Sequence, residues 1–115
     1  MIEVVDAPLP AAGPGEVRVR VLVYAQTAAL RPPFVLGYDV VGEIGQLGDG
    51  LSGFQLGERV AEMTVVGSNA GYRTLRASDL TRVPATVDAA EAAALILSWT
   101  TAYQLLHRTA QVQRG

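Results

Sequence analysis

From residue 16 to 24 apolar and polar positions alternate: Val17, Val19, Val21 and Val23 take one face, Arg18 and Arg20 the other. A two-residue period in a valine-rich run predicts a half-buried strand. A second strand is predicted over about 38–44, ending in the turn-rich Gly45-Gln46-Leu47-Gly48-Asp49-Gly50. Residues 59–66 predict a third strand, 71–76 a fourth and 80–83 a short fifth. Before them, residues 7–15 form an extended, turn-forming link rich in proline and glycine.

The pattern changes at Pro84. Asp88-Ala89-Ala90-Glu91 carries an acid at a helix cap and a glutamate three residues on. Residues 92–97 and 101–108 have helical propensity, and Ala102, Leu105 and Leu106 can share one face. Two short helices are predicted, with a break near Ser98-Trp99. Strands followed by helices favour a compact, mainly β domain over alternating parallel βα units.

Composition narrows the chemistry. A chain of 115 residues, half hydrophobic and 17% charged, is a folded globular domain and one domain at most. A net charge of −2 gives no reason to expect nucleic acid or an anionic membrane as partner. All nine basic residues are arginine, which removes lysine Schiff-base chemistry and a Walker-type phosphate loop. The absence of cysteine removes disulfides, thiolate catalysis and thiolate-held zinc. His107, the single histidine, leaves no histidine cluster and sits with Arg108 where positive charge favours a helix carboxyl end. No apolar run approaches a bilayer span and no signal-peptide pattern opens the chain, so a cytoplasmic location is the default expectation.

Five segments follow one another in a fixed order: Pro14-Gly15-Glu16-Val17-Arg18-Val19-Arg20-Val21, Gly37-Tyr38-Asp39-Val40-Val41-Gly42, Gly53-Phe54 through Val60, Ala70-Gly71-Tyr72, and Glu91-Ala92-Ala93-Ala94-Leu95 through Thr101-Ala102-Tyr103. In that order they resemble the GroES-like amino-terminal domain of medium-chain dehydrogenases/reductases, nearest the zinc-independent quinone oxidoreductase branch. The resemblance implies a partially open β-barrel with flanking helices over 1–115. It also implies a Rossmann domain beyond it, binding NADPH, of which this chain carries no Gly-x-Gly-x-x-Gly after a strand. Two further pieces of the family pattern are missing: a first strand, and an active-site arm between Leu30 and Arg31. The jump to Pro32-Pro33 favours residues left out of the chain over a deletion in the gene.

The resemblance also points to site residues. Tyr38 stands where the zinc-dependent branch has a histidine ligand, and Asp39 where it has a glutamate. A phenol and one carboxylate, with no cysteine, cannot supply the three protein ligands of catalytic zinc, so no zinc is expected. Tyr38 is then a hydrogen-bond donor lining the substrate cleft, or an aromatic packing residue whose hydroxyl finds a backbone partner. Asp39 reads as a structural hydrogen-bonding group. Thr101 matches a threonine beside the nicotinamide in relatives, against the plainer reading of a helix-start cap. Thr27 takes the place of an asparagine common in the branch; a substrate hydrogen bond and a buried strand-end threonine are its two readings. Trp99 and Tyr103, four apart, suit core or interdomain packing.

The function so implied is hydride transfer from NADPH to a quinone, enone or carbonyl compound, a small-molecule partner. The isolated chain is expected to be nearly inactive, and any homodimer to form mainly through the missing domain. The alternative is a non-enzymatic GroES-like binding or assembly module; a zinc alcohol dehydrogenase is disfavoured by the absent cysteines.

Overall fold

The computed structural model describes residues 3–24, 37–63 and 67–113. Five strands form: β1 (Glu16–Tyr24), β2 (Val40–Leu47), β3 (Arg59–Glu62), β4 (Tyr72–Arg76) and β5 (Thr81–Arg82). They make one open sheet in the order β4-β1-β2-β3-β5, every pair antiparallel. The expected mainly β, partially open architecture is the one observed, with no parallel βαβ unit among the described residues. The part of the expected third strand over 64–66 lies outside them.

The alternation of β1 is real but serves two cores. Val17 and Val19 are fully buried with Val40, Ile44, Val60 and Leu75, and Val21 packs on the same cluster. Val23 instead joins Val41, Ala61, Ala92 and Ala93. The four valines therefore do not share one face, contrary to the two-residue period. Pairing slips between Val21, opposite Gly42, and Val23, opposite Val41, and a bulge of this kind turns the following side chain to the other face. A second slip pairs Arg18 with Gln46 and Val19 with Ile44, which skips Gly45. The segment expected to be a turn after Ile44 thus continues as strand, with Gly45 as the extra residue. Gly42 lets β1 and β2 approach, because a Cβ there would run into Val19 Cγ1 and the Arg20 carbonyl.

Asp88 starts the helical run as its position predicts, accepting from the Ala90 and Glu91 backbone N–H groups at 2.8 and 3.3 Å. The start is also tied to the sheet, since Arg59 Nη1 donates to the Val87 carbonyl at 2.7 Å. Helix α1 (Ala89–Ala94) buries Ala92 and Ala93 on the sheet. A π-helical turn, Leu95–Trp99, leads into α2 (Thr100–Gln104), and a second π turn, Leu105–Thr109, ends the run. The expected break near Ser98-Trp99 does not occur. Trp99 and Thr100 keep right-handed helical dihedrals, and no glycine or proline interrupts the segment. The run stops at Ala110, where Gln111 takes a positive φ of 49° and the Val112 N–H closes back on the Leu106 carbonyl at 3.0 Å.

Candidate functional site

The sequence before β2 is shaped by one glycine. Gly37 has φ +101°, and a Cβ there would lie 2.6 Å from the Asn69 backbone nitrogen and closer still to Ser68 Oγ. The Gly37 carbonyl accepts the Gly67 N–H at 2.9 Å, locking the bend to the segment before β4. Only glycine meets both demands. Tyr38 follows, half-buried on the bend, and Asp39 is buried at 2% exposure just before the ladder begins at Val40.

Asp39 is the most perturbed group of the site. Burial raises its carboxyl above the usual aspartate value; the polar backbone at Leu97 opposes the shift, and the charge of Glu62 adds to it. Its Oδ1 finds no hydrogen-bond partner among the described residues.

Thr101 is exposed on α2, and its neighbours Trp99 and Tyr103 are 65% and 62% exposed. The packing expected of that pair is therefore not found within the described residues of this chain. Tyr103 does meet His107, with ring centroids 4.4 Å apart. Leu95, Leu105 and Leu106 are also exposed, so the helix carries much apolar surface beyond Ala93. Thr27 and the region of the expected arm lie outside the described residues.

A groove of about 700 Å³ runs between the β3–β5 edge and the helix, lined by Glu62, Met63, Val83, Leu95, Ile96 and Thr100, among others. Neither Tyr38 nor Thr101 lines it. Glu62, buried at the end of β3, was not legible as a site residue. The available signal was its register: it stands two residues after the inward-facing Val60, on the same face, and pairs with Val40.

No group of three or more His, Cys, Asp or Glu among the described residues is arranged to hold a metal ion. The donor chemistry at positions 38 and 39 fits a cation poorly. Tyr38 offers a phenol, and Asp39 a single carboxyl whose charged form burial disfavours. No helix of the described residues is long and apolar enough to cross a membrane.

The open antiparallel sheet, the glycine bend and the capped helix define a known class of domain. The chain belongs to the family described as the alcohol dehydrogenase GroES-like domain, whose model matches residues 13–86. Its place is in the medium-chain dehydrogenase/reductase superfamily, on the quinone oxidoreductase-like branch. It is 34% identical over 103 residues to the quinone oxidoreductase of Rattus norvegicus, covering 89% of this chain and 31% of that protein. Against the L-threonine 3-dehydrogenase of Pyrococcus furiosus it is 32% identical over 77 residues, covering 54% of this chain and 22% of the relative. The quinone oxidoreductase of Thermus thermophilus, a structure that includes its complex with NADPH, superposes with a TM-score of 0.77 at 30% identity. That match covers 98% of this chain and 38% of the other. The chain thus spans less than a third of the length of these two curated relatives.

Proposed function

We propose that this chain is the substrate-side domain of an NADPH-dependent, zinc-independent oxidoreductase that reduces a quinone, enone or related carbonyl compound. The observation that carries the reading is the apolar helix surface of Leu95, Trp99, Tyr103 and Leu106, exposed next to Thr101. Exposed apolar area of this kind marks an interaction surface. In this reading a cofactor domain packs there and brings the nicotinamide to Thr101. When bound, NADPH supplies the hydride. The residues described here suit only the nicotinamide end, through the exposed Thr101 hydroxyl, because no glycine-rich strand–turn–helix is present for the diphosphate.

Without a metal, negative charge developing on the substrate oxygen needs hydrogen-bond donors. The Tyr38 hydroxyl, on the bend ahead of β2, is the donor assigned here, and Thr27 contributes a second hydroxyl. The names of the relatives are those of oxidoreductases, which does not favour a non-enzymatic assembly module.

The test uses the protein encoded by the complete gene. Tyr38→Phe is expected to lower kcat by about 100-fold, the effect of losing one donor to an oxyanion. Thr101→Ala should raise KM for NADPH by about fivefold, the worth of one hydrogen bond. Unchanged turnover and KM in the double variant would remove the site assignment.

A further inference from the structure

The turn that leaves β2 carries the chain's one Asp-Gly pair, Asp49-Gly50. The Leu51 N–H donates to the Gly48 carbonyl at 3.2 Å, and Gly50, third in the turn, has a φ of 73°. A positive φ at that place is the mark of a type II turn and suits glycine. Asp49 and Gly50 are both exposed, and a Cβ placed on Gly50 would have nothing within 4 Å. No described residue forms a hydrogen bond or ion pair with the Asp49 carboxyl or the Gly50 N–H. Three other aspartates are held. Asp39 is buried ahead of the β-branched Val40, Asp79 accepts the Ser78 hydroxyl at 2.7 Å, and Asp88 accepts two N–H groups at its helix cap. Asp6 is exposed as well, but it precedes an alanine, Ala7.

We infer that Asp49 is a site of spontaneous covalent modification, converting to isoaspartate through a cyclic succinimide formed with Gly50. The Gly50 backbone nitrogen attacks the carbon of the Asp49 side-chain carboxyl. An N–C bond forms, and the carboxyl hydroxyl leaves as water with the nitrogen's proton. Water then opens the ring at the Asp49 backbone carbonyl, breaking its bond to the Gly50 nitrogen. The chain now runs through the side-chain carboxyl carbon, one backbone carbon longer, and the Asp49 α-carboxylate is free. One water leaves and one enters, and nothing is oxidised or reduced. Glycine permits the attack because no Cβ stands beside its nitrogen, whereas Ala7 after Asp6 carries one. The turn has little slack for the added carbon. Gly48 is held by its N–H to the Glu16 carbonyl at 2.8 Å, and a Cβ on it would run into the Gly13 carbonyl. On the other side Leu51 packs on the cluster of Val17 and Val19. Lengthening the backbone between them breaks the Gly48–Leu51 hydrogen bond and draws Leu51 off the core.

The test incubates the protein encoded by the complete gene for weeks in warm buffer at neutral pH. Isoaspartate is read by methyl transfer from S-adenosylmethionine, with an isoaspartyl carboxyl methyltransferase as the probe, and is located by fragmenting the digested peptides. Methyl acceptor should accumulate with time at position 49, with no change in the mass of the protein. Asp49→Ser has no side-chain carboxyl and should lose the signal. A synthetic peptide of residues 45–54 serves as the unfolded control. Acceptor in the peptide but none at Asp49 of the folded protein overturns the inference, as does an undiminished signal in Asp49→Ser. The isomerised protein should also unfold at lower denaturant concentration than the fresh protein, and an unchanged midpoint overturns the strain assigned to the turn. None of these readouts needs turnover, so this inference and the oxidoreductase reading fail separately.

Discussion

Gly37 lies so close to Ser68 that no Cβ fits between them. Gly37→Ala must both hold an alanine at φ +101° and push back the 68–69 backbone. The backbone strain costs about 1–2 kcal/mol and the overpacking about 1–3 kcal/mol. Denaturant unfolding should report the sum. Adding Ser68→Ala should recover part of the overpacking cost only, because the Asn69 nitrogen still stands 2.6 Å from the new Cβ.

Asp39 gives a pH signature opposite in sign to that of an ion-paired aspartate. Its folded value lies above 3.8, so in that interval the folded chain holds a proton that the unfolded chain releases. Stability should therefore fall as pH rises from 3.8 through the folded value, and the whole cost is present above it. Asp39→Asn should lose this slope. Unfolding free energies of the two proteins, measured from about pH 3.5 to 7.5, should diverge in the variant's favour as pH rises.

Ile44 and Arg20 separate core from surface. Ile44 is 2% exposed in the larger cluster, and Ile44→Ala should cost about 2–5 kcal/mol. Arg20 pairs with Glu43 directly across β1 and β2 at 2.7 Å, but the pair is open to solvent. Arg20→Ala should cost under about 1 kcal/mol, and added salt should narrow the gap between the two proteins.

At the helix start, Asp88→Ala removes both cap bonds and should cost about 1 kcal/mol, with Asp88→Asn restoring most of it. Because Ala92 and Ala93 are buried just beyond the cap, the loss should appear in global unfolding rather than as fraying alone.

The strands and the helix cap were legible because their signals are local: alternation along one strand, and an acid three residues before a glutamate. The slip at Val21–Val23 was not, since a two-residue period carries no information on where a ladder shifts. Likewise Arg59 lies far along the chain from Val87, and nothing around either residue announces their hydrogen bond. The continuity of the helix through Ser98-Trp99 was readable in principle from the missing glycine and proline. The segment Gly37-Tyr38-Asp39 is legible as part of the family pattern, but the burial of Glu62 is not, since a glutamate inside a strand pattern reads as solvent-facing.

The bulge in β1 has a consequence for how the domain comes apart. One continuous strand supplies Val17 and Val19 to the first cluster and Val23 to the second, so neither can melt while the other keeps its share of β1. The sheet interior and the layer under the helix are joined by the short backbone from Val21 to Val23. Heating should then yield a single calorimetric transition, with the fraying end of the helix as its only forerunner.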